Sequence, residues 1–94
     1  AESFGANTDE TIVVEGHTDD VKIGWPLRER FPSNWELSTA RSATVVRFLQ
    51  EEANIKAERL TASGFSYYRP VAPNDTEETR SQNRRIEIIL VPIR

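Results

Sequence analysis

Apolar residues fall into three short β-type runs and one longer helical run. Thr11 to Glu15 is rich in β-branched residues and stops at Gly16, which predicts a strand. Arg59 to Ser63 reads as a second strand closed by Gly64. Ile86 to Val91 reads as a third, with Pro92 expected to end its pairing. Between the first two, Ser33-x-x-Glu36 has the form of a capping box, and Pro32 blocks any earlier helix start. The helix is expected from Asn34 to Glu52 or Ala53, with Asn54 as its stop. Asn74 or Asp75 is expected to cap a short helix over Thr76 to Gln82. Asp19 to Pro32 and Phe65 to Asn74 read as loops, punctuated by Gly and Pro. Residues 1–10 are polar without periodicity, and Ala1 to Phe4 suit the frayed end of a helix.

The order β-α-β-(short α)-β predicts an α/β (α+β) sandwich: a mixed sheet with helices packed on one face. On the long helix, at about 100° per residue, Leu37, Val45, Phe48 and Leu49 lie within roughly a third of the circumference. Arg41 falls inside that arc. An arginine on a buried stripe requires an anion, because an unpaired buried charge is very costly. Either Asp19 or a ligand carboxylate can supply it.

Ninety-four residues make a single domain, residues 1–94, with one modest core. Apolar residues at 37% and charged residues at 29% fit a globular module rather than a disordered tail. No apolar run approaches the roughly 20 residues of a membrane span, and no signal peptide is evident, so the expectation is a soluble domain. The absence of cysteine excludes disulfides and thiolate metal sites. A net charge of −3 without a basic stripe argues against nucleic acid.

Few residues carry candidate chemistry. Asp19 follows the first strand, where α/β sheets commonly place ligand groups; its alternatives are to cap a turn or to pair with Arg41. His17 is the single histidine, so a hydrogen-bonded structural role is favoured over a metal site, and no metal or cofactor is implied. Asp20, Glu29 and Glu36 show no spacing of an acid–base dyad. Tyr67 and Tyr68 suit packing under a loop better than stacking on sugar, and Trp35 suits core or rim.

The stretches Val13-Val14-Glu15-Gly16-His17-Thr18-Asp19-Asp20 and Phe31-Pro32-Ser33-Asn34-Trp35-Glu36-Leu37-Ser38-Thr39-Ala40-Arg41, with Arg59-Leu60-Thr61-Ala62-Ser63-Gly64-Phe65 and Asn83-Arg84-Arg85-Ile86-Glu87-Ile88, go further. Together they resemble the OmpA-like peptidoglycan-binding domain, from about Ile12 to Val91. The form around Phe31 to Ser38 and the longer insert before it look most like the MotB-type flagellar stator version. The resemblance implies a non-catalytic domain of the bacterial periplasm that binds peptidoglycan. Its ligand would be the diaminopimelate residue of the stem peptide, with Asp19 taking the ammonium and Arg41 a carboxylate. Arg suits that task because its planar fork binds a carboxylate bidentately. Thr18, Asn34 and Arg84 match positions around that site. Arg84 is expected to emerge at the sheet edge, Arg85 on the other face, and Asn83 to cap or turn.

Two departures shape the expectations. The family's first strand and helix are missing, so the domain looks N-terminally truncated. An unpaired edge and exposed apolar surface should follow, and a homodimer is expected to cover them. The segment Lys22 to Arg30 is longer than in outer-membrane members. The full-length protein is expected to be membrane-anchored. A protein-binding or dimerisation module is the alternative. A wall-cleaving enzyme is disfavoured, because no nucleophile–base pair or metal-ligand set is recognisable.

Overall fold

The structure, a computed structural model, describes residues 10–92. The expectations for Ala1 to Phe4 lie outside them. Five regular elements follow in chain order: β1 (Glu10–His17), α1 (Asn34–Glu51), β2 (Leu60–Gly64), α2 (Glu77–Asn83) and β3 (Arg85–Pro92). Short 3-10 turns at Leu27–Glu29 and Ala57–Arg59 interrupt the connections. The sheet has the order β2-β1-β3. β1 runs parallel to β2, with Ile12 opposite Leu60 and Gly16 opposite Gly64, and antiparallel to β3, with Val14 opposite Ile88. This is the mixed sheet of the α/β class, with α1 as the crossover between the parallel pair.

Ser33 caps α1 as its sequence predicts. Its hydroxyl accepts from the Trp35 amide at 3.2 Å, and Glu36 reaches back to the Ser33 amide at 2.9 Å. The helix stops at Glu52, and Asn54 takes a left-handed conformation (φ 59°). The second helix is capped by Thr76 rather than Asn74 or Asp75, because the Thr76 hydroxyl reaches the Thr79 amide. Pro92 still lies in the ladder, opposite Glu10; as the last residue of an edge strand it need not donate.

The core is small: Ile12, Val14, Leu49 and Ile55, flanked by Val45, Val46 and Leu60. Ile12 and Val14 are two apart on β1 and so face the same side. α1 lies over β1 and β2. Its buried side includes two fully buried serines, Ser38 and Ser42. The reason is the closeness of the backbones. A Cβ added to Gly16 would lie 2.1 Å from the Ser38 carbonyl oxygen, and one on Gly64 would lie 2.6 Å from the Thr39 amide nitrogen. The N-terminal half of α1 is thereby seated on the C-terminal ends of both strands, where only small side chains fit.

That seating rotates the helix relative to the expected stripe. The buried residues of α1, Asn34, Leu37, Ser38, Ser42 and Leu49, centre about 85° around the axis from Leu37, which marks one margin of the buried side. Arg41 and Phe48 project onto the Leu37 margin, and although Leu37 is buried both of them are exposed, Phe48 by 60%. The expectation that Arg41 is buried therefore fails, and burial places no demand for an anion on it.

No helix among the described residues is long and apolar enough to cross a membrane. β3 pairs with β1 only, so its second edge is unpaired among the described residues. Ile88 and Leu90, opposite Val14 and Ile12, share the α1 side of the sheet, as does Ile86 opposite Gly16, yet all three are exposed. α1 does not reach over them.

Candidate functional site

The β1–β2 ladder continues past the strand ends. Phe65 N–H donates to the Gly16 carbonyl at 3.0 Å and Thr18 N–H to the Ser66 carbonyl at 2.9 Å. Thr18 is buried and its hydroxyl donates to the Asp19 carbonyl at 2.8 Å. The chain then turns around the Asp19 carboxylate. Oδ1 accepts from Val21 N–H at 3.0 Å, and Oδ2 accepts from the Arg84 guanidinium at 2.5 Å. Asp19 is only 7% exposed. Asn34, the first residue of α1, is also buried, and its amide donates to the Val21 carbonyl at 3.2 Å. Four of the five expected site residues, Thr18, Asp19, Asn34 and Arg84, thus meet at one end of the sheet.

Of the alternatives for Asp19, pairing with Arg41 is not what the structure shows. Arg84 takes that place and bridges to Glu77 with a second nitrogen at 2.5 Å. Glu77 first, then Asp19, raise the Arg84 pKa above its ordinary value. One turn back on α2, Arg80 stands 3.7 Å from Asp20. The last turn of α2 therefore presents two cations to the two acids that follow β1. Arg41 stands apart on the same side of α1 as Asn34, two turns along and about 10 Å away by helical rise. It is exposed, and among the described residues no carboxylate pairs with it.

Around His17, Nε2 lies 3.2 Å from the Glu15 carboxylate, and the ring stacks on Phe65 with centroids 5.2 Å apart. This is the hydrogen-bonded structural role expected of it. Glu15 sits directly opposite Glu87 in the β1–β3 register, and ligand atoms of Glu15, His17 and Glu87 come within 4.8 Å of one another. Arg85 already holds Glu87 at 2.5 Å and lowers its pKa by that hydrogen bond. A cation would have to compete with that guanidinium.

Two features escaped the sequence reading. Asn83 is fully buried and uses every capacity of its amide. Its oxygen accepts from Val71 N–H (2.7 Å) and Ala72 N–H (3.0 Å), and its nitrogen donates to the Ala72 carbonyl (2.9 Å) and Asn74 (2.8 Å). It pins the loop before α2 to the start of β3. Asn83→Ala is expected to cost about 3 kcal/mol by stranding these groups, read as a lower urea midpoint at unchanged m-value. A shift within error would mean that water replaces the amide. No local pattern marks such a role. The second feature is aromatic: Tyr67 and Tyr68 do not pack under the loop but stand exposed, and Trp35 lies at the rim rather than in the core. Their aromatic neighbours are each other.

Comparison with known proteins decides the family. A sequence profile of the OmpA family matches residues 1–84. The chain belongs to the OmpA family. It is 38% identical over 86 residues to Motility protein B of Bacillus subtilis, covering 92% of this chain and 32% of that protein. Among solved structures, the periplasmic domain of Helicobacter pylori MotB superposes with a TM-score of 0.80 at 31% identity, covering 92% of this chain and 51% of that one. The cell wall anchor of the T6SS from Pseudomonas aeruginosa superposes with a TM-score of 0.76 at 40% identity, covering 89% and 55%. The domain is of the MotB type, in a family that includes cell wall anchors. It spans about a third of the curated relative and about half of each solved chain.

Proposed function

We propose that this domain binds peptidoglycan without cleaving it, through the diaminopimelate residue of the stem peptide, and so anchors a membrane-linked protein to the cell wall in the periplasm. Asp19 takes the ammonium of that residue and Arg41 a carboxylate. An ionised carboxylate offers about four lone-pair sites, and Val21 and Arg84 use two of them, so Asp19 retains acceptor capacity for an ammonium. Arg84 orients the carboxylate. Thr18 and Asn34 fix the backbone around it.

The observation that supports this reading most is the partner assignment. With Asp19 matched to Arg84, Arg41 remains an exposed guanidinium without an anion among the described residues. A zwitterion reaching from Asp19 to Arg41 satisfies both. Its relatives' names, a motility protein and a cell wall anchor, point the same way. The test is sedimentation with purified sacculi. The domain is expected in the pellet, with no soluble muropeptides released. A domain left in the supernatant overturns the reading, and released muropeptides point to an enzyme instead.

One observation favours a second reading, a dimerisation module: the edge of β3 that is unpaired among the described residues, beside the exposed Ile86, Ile88 and Leu90. The chain is expected to sediment as a dimer at micromolar concentration, by pairing β3 edges or burying that strip. A clean monomer removes this reading and leaves the first intact.

A further inference from the structure

After β2 the chain turns sharply. Ser66 is 1% exposed and adopts φ 55°, in the left-handed region. A non-glycine residue there costs roughly 1 kcal/mol or more, so the surroundings must hold it. They do: Ser66 N–H donates to the Ser38 hydroxyl at 3.0 Å, and its carbonyl accepts from Thr18. The turn projects Tyr67 and Tyr68 outward beside the start of α1. Their rings stack at 4.4 Å, and Tyr68 stacks in turn on Trp35 at 5.4 Å, with interplanar angles of 24° and 25°. Three rings form one continuous pile, and none is buried: Tyr67 is 36% exposed, Trp35 48% and Tyr68 57%.

The ends of the pile line two concavities. Tyr67 borders a hollow of about 190 Å³ with Lys22, Arg28, Ser33 and Asn34. Trp35 borders a shallower groove with Arg30, Glu36 and Thr39. Asn34 is the side chain that holds the Asp19 loop through Val21. The pile is therefore contiguous with the proposed stem-peptide site. Ordered, exposed rings contribute little to the core, and their value lies in what they present outward.

We propose that the Trp35–Tyr68–Tyr67 pile is a platform for the glycan strand of the same polymer, taking the amino-sugar ring from which the stem peptide hangs. This inference rests on the stem-peptide reading above. A pyranose offers a C–H face that packs on an aromatic surface, while its hydroxyl, acetamido and carbonyl groups need hydrogen bonds around the rim. The Tyr67 and Tyr68 hydroxyls, 3.2 Å apart, and Ser33, Asn34, Lys22 and Arg28 supply them. The hydrogen bond to Tyr68 raises the Tyr67 pKa. Single-stranded nucleic acid also stacks on aromatic rings, but the chain's net charge of −3 and the neighbouring Asp20 oppose a polyanion.

Calorimetry with three ligands tests the platform: the soluble stem peptide, the disaccharide carrying that peptide, and glycan strands stripped of peptide. The disaccharide is expected to raise affinity about tenfold over the peptide alone. The Trp35→Ala/Tyr68→Ala variant is expected to bind the peptide within about twofold of the native chain and to lose that gain, with its circular dichroism unchanged. In a Trp25→Phe background, in which Trp35 is the remaining tryptophan, the disaccharide is also expected to shift the emission. The platform is overturned if the native chain gains nothing from the disaccharide, or if the double variant keeps the gain; in both cases peptide binding, and the reading built on it, stands. Binding of stripped glycan without binding of peptide leaves the platform standing and removes the stem-peptide reading.

Discussion

Arg41→Ala is expected to release the domain from sacculi while leaving its stability within about 0.5 kcal/mol of the native chain. The side chain is exposed and carries no ion pair among the described residues, so removing it strands nothing in the fold. In the complex it would strand a ligand carboxylate. That costs about 2–3 kcal/mol, a loss of roughly 30- to 150-fold in affinity. Arg41→Lys is expected to recover little, because a point charge cannot reproduce the two-pronged contact. Asp19→Asn should also fail to bind, but it is the less clean variant. It removes the charge that Arg84 pairs with, so a stability loss accompanies it. Sacculus pull-down beside a thermal melt separates the two effects. An Arg41→Ala protein that melts normally and still pellets would remove Arg41 from the site.

The second large effect is on folding. Gly16→Ala is expected to cost about 3 kcal/mol or more, a large fraction of the stability of a chain this size. The new methyl would meet the Ser38 carbonyl at 2.1 Å, and that oxygen belongs to helix backbone with no rotamer to change. α1 would have to lift from the sheet, carrying Asn34 and Arg41 with it. Gly64→Ala should behave similarly, because Thr39 Oγ1 can rotate away but the Thr39 amide at 2.6 Å cannot. Gly24→Ala is the control, since nothing lies within 4 Å of its added Cβ. Urea melts of the three variants check this ordering. A Gly16→Ala melt that matches Gly24→Ala would mean that the helix is not seated as described.

What the sequence discloses and what it hides divide along physical lines. Elements set by local signals are legible. The capping box at Ser33 and Glu36, the Asn54 stop and the β-branched run of β1 each name their own structure, because their partners lie within a few residues. The orientation of α1 is not local. A hydrophobic count put Arg41 and Phe48 on the buried side, but two strand glycines draw the helix in along Ser38 and Ser42. The signal was there in principle: small residues four apart on a helix, facing glycines that close two strands. The site divides the same way. The neighbourhood of Asp19 was readable from the motif after β1. Its partner was not, because Arg84 lies 65 positions away and reaches Asp19 only through the antiparallel return of β3. Tyr67 and Tyr68 point outward because Ser66 adopts a left-handed conformation that no residue type announces.

The central claim is that Asp19 and Arg41 hold the two ends of one zwitterion. Diaminopimelate differs from lysine by a single carboxylate beside the terminal ammonium. Titrating the native domain calorimetrically with a diaminopimelate stem peptide, and with the same peptide carrying lysine at that position, tests the claim most directly. The diaminopimelate peptide is expected to bind about 30-fold or more tightly, and Arg41→Ala to erase the difference. Equal affinities for the two peptides in the native domain would contradict the account.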